Sequence, residues 1–134
     1  MADVLTAEER SACMRAVRGQ DTKPEMVVRR MLHGMGYRYR LHTKHLPGKP
    51  DLVFPSRHKV IFVHGCFWHM HQCRRGKRIP VSNFQYWNQK RNRNADRDRK
   101  HIKALRRAGW KILVIWECRI KDVNRLRARL TEFL

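Results

Sequence analysis

The chain has 134 residues, enough for one domain with a single core, and 42% of them are hydrophobic, which excludes general disorder. Lys and Arg number 31 against 11 Asp and Glu, for a formal net charge of +20. Each phosphate neutralised by Lys or Arg releases condensed counterions, so nucleic acid is expected as the partner ahead of acidic protein or a membrane surface. No stretch reaches the length of an apolar membrane span, and "MADVLTAEER" has neither a basic start nor an apolar centre. A cytoplasmic, nucleoid-associated protein is expected. There the four cysteines stay reduced, which favours metal binding over disulfides.

In chain order, "TAEERSACMRAV" pairs Thr6 with Glu9 in a capping-box pattern and opens a short helix. "DTKPEMVVRRMLHGMG" repeats the signal with Thr22, Glu25 and Pro24, and Gly34 or Gly36 stops the helix. "YRYRLH" alternates as an edge strand. "LPGKPD" is a turn, and "DLVF" and "KVIFVH" are short strands joined by "PSRH". Residues 65–82 form an irregular loop, and residues 83–108 form one long helix or two in sequence. "WKILVIW", bounded by Gly109 and Glu117, is expected as a strand covered on both faces. "VNRLRARLTEFL" closes the chain as an amphipathic helix. The order ααβββαβα predicts an α/β protein, a small mixed sheet flanked by helices in one domain over 1–134.

The loop "VHGCFWHMHQC" concentrates the chemistry. Cys66, His71, Cys73 and the distant Cys118 suit a tetrahedral zinc site with no open position, hence a structural one. Cys118 follows a strand expected to lie beside "KVIFVH", so both strand ends deliver ligands to the same edge. Buried, inert cysteines are the plainer alternative, but a loop this long with little apolar content needs an organiser. Cys13 lies outside the ligand set. Asp51, at the start of a strand, is either a magnesium ligand of phosphodiester chemistry or a turn residue. His64 and His69 are candidates for taking a proton from water, or else alternative zinc ligands or phosphate contacts. Asp98 either orients a histidine or forms a surface ion pair.

Phe67, Trp68 and Trp87 lie among basic residues, as do aromatic wedges that unstack DNA; covering the zinc site or the sheet is the competing role. The stretch "KRNRNADRDRKHIKALRR", opening with Lys90, carries one-signed charge around much of its helix and favours phosphate contact. Spacing alone leaves open whether Asn88, Asn92 or Asn94 reads a base edge.

"RGQDTKPE", "LPGKPDLVF", "VIFVHGCFWHMHQC", "NADRDR" and "GWKILVIWEC" closely resemble, in order over nearly the whole chain, the very short patch repair (Vsr) endonucleases of bacteria. The resemblance implies a restriction-endonuclease-like fold with a structural zinc site. It also implies magnesium-dependent nicking on the 5′ side of the mispaired thymine in T·G mismatches, which arise when 5-methylcytosine deaminates. In that family Asp51 matches the metal-ligand aspartate, His69 the general base and Asp98 its acidic support; Glu25 and His64 match further active-site residues. Cys66, His71, Cys73 and Cys118 match the zinc ligands. Phe67, Trp68 and Trp87 match intercalating aromatics, Lys90 and Asn94 fall in the DNA-contacting helix, and Met14 and Arg15 lie in a DNA-contacting arm over 1–20. Val63 stands where a relative has threonine; its main-chain carbonyl is the implied magnesium ligand, so the change is compatible. The implied protein is a monomer acting on double-stranded DNA, with mismatch-repair proteins as further partners. Two rivals remain: a restriction-type enzyme cutting matched duplex, and a zinc-stabilised DNA-binding module without catalysis.

Overall fold

A computed structural model describes residues 22–41, 43–66, 69, 71, 73 and 83–134. The expected first helix, with Met14 and Arg15, and the aromatics Phe67 and Trp68 lie outside the described residues.

Helix α1 (Lys23–Gly34) starts as its sequence predicts: the Thr22 hydroxyl accepts from the Glu25 N–H at 3.4 Å, and Pro24 sits in the first turn. Gly36, rather than Gly34, supplies the left-handed stop with φ of +93°. The Tyr37 N–H then donates to the Leu32 carbonyl and the Gly36 N–H to the His33 carbonyl, which satisfies the helix end. The Glu25 carboxylate does not complete the capping box. It bonds Arg29 one turn on and faces Asp51 instead.

The strands β1 (Arg40–Leu41), β2 (Leu52–Phe54), β3 (Lys59–His64) and β4 (Lys111–Trp116) form one sheet in the order β1-β2-β3-β4. The first two pairings are antiparallel, and β3–β4 is parallel with His64 opposite Trp116. A parallel pair cannot be joined by a tight turn; the long helix α2 (Phe84–Arg107) carries the crossover. Helix α3 (Val123–Phe133) follows, its first turn capped by the Asp122 side chain. The predicted order holds from Thr22 onward, with a single continuous α2 and a β1 shorter than "YRYRLH" suggests.

Strand alternation divides the core between two faces. On one, Leu52, Phe54, Ile61 and Ile115 pack against Val28 and Leu32 of α1 and Leu126 and Leu130 of α3. On the other, Val53, Val60 and Phe62 meet Leu105 of α2, with Ile112 and Val114 against them. Strand β4 is thus covered on both faces, yet only Ile115 is fully buried. It pairs on one side only among the described residues, so its neighbours keep an accessible flank.

The turn before Asp51 is tight. Gly48 and Lys49 both have positive φ, and the Lys49 N–H donates to the Leu46 carbonyl. A β-carbon at Gly48 would stand 2.9 Å from Cβ of His101 on α2, so this turn is docked on the helix that carries Asp98. Gly48→Ala meets both the clash and the left-handed backbone and should cost about 1–3 kcal/mol of stability in urea denaturation. A change within error would show that the turn is free to move.

Candidate active site

Strands β3 and β4 end side by side, with Cys66 and Cys118 each two residues past the paired ends His64 and Trp116. The loop after β3 returns His71 and Cys73, and the ligand atoms of all four residues lie within 4.8 Å of one another. His71 Nδ1 is 3.5 Å from the Cys118 sulfur. Burial, with the neighbouring Cys118 and Cys73 thiols adding to it, pushes the Cys66 thiol up to about 12. Three crowded thiols beside an imidazole are soft donors that a divalent cation takes up as thiolates, so this donor set fits zinc. The loop is secured by main-chain bonds as well: the His69 N–H donates to Gly65 and the His71 N–H to Cys66. Glu117 accepts from the Cys66 N–H at 3.2 Å. In the sequence it stood only as the end of an apolar run.

Asp51 opens β2, and its carboxylate accepts from the Val63 N–H at 2.6 Å, fixing it beside the main chain of β3. Burial, and next the hydrogen bond to the Glu25 carboxyl, hold the Asp51 carboxyl up at about 8; the Val63 N–H and Arg29 pull the other way. The Asp51 carboxyl therefore keeps its proton into the neutral range. The half-buried Asp51 and buried Glu25 carboxyls are hard oxygen donors suited to magnesium, whose charge would replace that proton. Arg29 escaped the sequence reading, although its spacing of four from Glu25 was the available signal.

A stability consequence follows from that proton. The unfolded chain releases it near the ordinary value of 3.8, so the contribution is fully present below that value and is lost as pH rises through about 8. Urea melts without magnesium, zinc retained, should show stability from this group falling as pH rises from 3.8 to about 8. Asp51→Asn should remove that slope; an unchanged slope would place the proton elsewhere.

His64, the last residue of β3, is buried, and its ring stacks parallel to that of His69, with centroids 3.8 Å apart and planes 4° apart. Burial first, and then the neighbouring His69, lower the His64 pKa to about 3, so its ring is neutral. His69 Nδ1 is hydrogen-bonded to the Asp98 carboxylate, reaching across from α2. With Nδ1–H donating, the His69 Nε2 lone pair is left to accept a proton. Trp116 joins the two centres: it stacks on His71 at 4.1 Å and presents its edge to His64 at 5.2 Å. The carboxylate pair and the imidazoles are held at adjacent residues of β3, Val63 and His64.

Toward the start of α2, Trp87 is buried at 8% exposure, and Tyr86 is the aromatic offered to solvent at 42%. Tyr86 meets the Trp87 ring edge-on, and the Lys90 ammonium lies 5.3 Å from its centroid. Insertion of Trp87 between bases would require it to leave this position. Asn94 accepts from Arg97 at 2.6 Å. Arg93, Arg97, Lys100, Lys103, Arg106 and Arg107 lie exposed along α2, as the one-signed charge predicts.

Residues 2–75 match the family described as DNA mismatch endonuclease Vsr. Over 134 residues the chain is 49% identical to the Type II nicking enzyme V.XorIIP of Xanthomonas oryzae pv. oryzae, covering 100% of this chain and 98% of that one. It is 40% identical over 126 residues to the DNA mismatch endonuclease Vsr of Escherichia coli, covering 94% and 80% respectively. The catalytic domain of the homing endonuclease I-Bth0305I shares the fold, with a TM-score of 0.59 over 84% of this chain and 94% of that domain at 18% identity. By the family match over residues 2–75 and these relatives, the chain belongs to the DNA mismatch endonuclease Vsr family.

Proposed function

We propose that this endonuclease nicks one strand on the 5′ side of the mispaired thymine in a T·G pair, the mismatch left when 5-methylcytosine deaminates. The observation that carries the reading is that the Asp51–Glu25 pair and the His69–Asp98 dyad are held at adjacent residues of β3, Val63 and His64. Asp51 and the Val63 carbonyl would hold magnesium, which supplies charge neutralisation at the scissile phosphate. His69, its tautomer set by Asp98, takes the proton from the attacking water. Glu25 holds Asp51 in place and shares its charge, and neutral His64 supports the His69 ring from below. Cys66, His71, Cys73 and Cys118 would hold zinc as a structural ion, stiffening the loop that carries His69.

Phe67, Trp68 and, once displaced, Trp87 wedge the duplex where a mismatch already stacks poorly, while Met14, Arg15, Lys90 and Asn94 contact the DNA. The enzyme acts as a monomer, with mismatch-repair proteins as its functional partners. Nicking of otherwise identical T·G and T·A duplexes, side by side with magnesium and without it, tests the reading. Cutting confined to the T·G duplex and to the magnesium arm is expected. Equal rates on both duplexes would assign a restriction-type activity, and binding without cutting would assign a DNA-binding module.

A further inference from the structure

We propose that His64, His69 and Asp98 form a second metal site, selective for borderline transition ions such as zinc or cobalt, whose occupation shuts off nicking. One ligand atom from each of the three lies within 4.8 Å of the others. His64 is only 6% exposed, and its Nδ1 has no hydrogen-bond partner among the described residues, so a buried nitrogen stands ready for a ligand. Two imidazoles and one carboxylate match zinc, cobalt, nickel or copper, whereas magnesium prefers oxygen donors such as Asp51.

The resting geometry is not yet that of a bound ion. The His64 and His69 rings are parallel, so their in-plane lone pairs do not converge, and one ring must rotate. Of the two rings His69 is the less enclosed, its side chain being 24% exposed while His64 is 6% exposed. Coordination also replaces the proton between His69 and Asp98, releasing it to solvent. The inhibitory half rests on the function proposed above, since it occupies the group assigned to proton transfer. The protein thus requires one zinc ion for its loop and is inhibited by the next, giving a biphasic response to zinc.

The test uses the full chain carrying one equivalent of zinc, titrated with Co²⁺ in the presence of Mg²⁺. Visible d–d absorption lacking a thiolate charge-transfer band is expected as a further equivalent binds. Affinity for that equivalent should fall at least about tenfold in His64→Gln and in Asp98→Asn, with the first zinc retained in both. Nicking of a T·G duplex by the unaltered chain should decline in step with cobalt occupancy and return when a weak chelator removes that equivalent alone. The proposal is overturned if no further ion binds, if both variants bind it unchanged, or if nicking persists at full occupancy. A chain that shows the expected spectrum yet cuts no mismatch without cobalt upholds the metal site and refutes the nicking reading instead.

Discussion

Asp51→Asn should lower the nicking rate by on the order of 10³-fold or more while leaving DNA affinity and thermal stability intact. Magnesium charge stabilisation in phosphoryl chemistry amounts to several kcal/mol, and about 1.4 kcal/mol corresponds to a factor of ten. The amide oxygen still accepts from the Val63 N–H, so the bond at 2.6 Å that ties β2 to β3 survives. The substitution also removes a carboxyl that burial and Glu25 disfavour in its charged form, so the melting temperature should hold or rise. This opposition separates a catalytic role from a structural one, because a merely structural Asp51 would lose stability along with activity. Nicking within about tenfold of the unaltered enzyme would remove Asp51 from the chemistry. His69→Ala belongs to the same experiment, with an expected loss of about 10²–10⁴-fold.

The second large effect is expected from Cys118→Ala. Cys118 is the one thiol of the cluster supplied from beyond β4, so its loss unties the loop from the sheet. Structural zinc binding is worth about 10–16 kcal/mol in small zinc peptides, as much as the whole stability of a typical domain. Here two apolar clusters lie on the sheet faces independently of the metal, so the sheet should persist. Bound zinc per chain and hydrogen-exchange protection at His69 and His71 should fall sharply, and nicking should be lost through displacement of His69. Protection in β3 should remain. A Cys118→Ala protein with full zinc content and ordinary nicking would refute the four-ligand cluster.

Much of this arrangement was legible in the sequence because local signals and chemistry agreed. Thr22 and Pro24 mark a helix start that capping chemistry demands, and the apolar runs of β3 and β4 required burial on both faces. Their expected neighbouring placement then brought Cys66 and Cys118 to the same edge, as the parallel pairing shows. Glu25 was legible as a cap but not as the partner of Asp51, because that contact depends on how α1 lies across the sheet. The same limit hid Glu117 and Trp116, whose roles arise only when β3 and β4 align in register. Composition identified Trp87 as an aromatic among bases, but which of Tyr86 and Trp87 faces outward is set by the rotation of α2 against its neighbours.

The parallel pairing of β3 with β4 also has a kinetic meaning. A parallel pair separated by a long helix is a non-local contact, formed late because loop closure precedes any reward. Cys118 emerges only after α2 and β4 have been made, so the four-residue Cys/His set cannot close on a nascent or half-folded chain. His69 rides on the loop that this closure completes. An incomplete chain therefore lacks the last member of the Cys66, His71, Cys73 and Cys118 set, and order at this end of the sheet is a late product of folding.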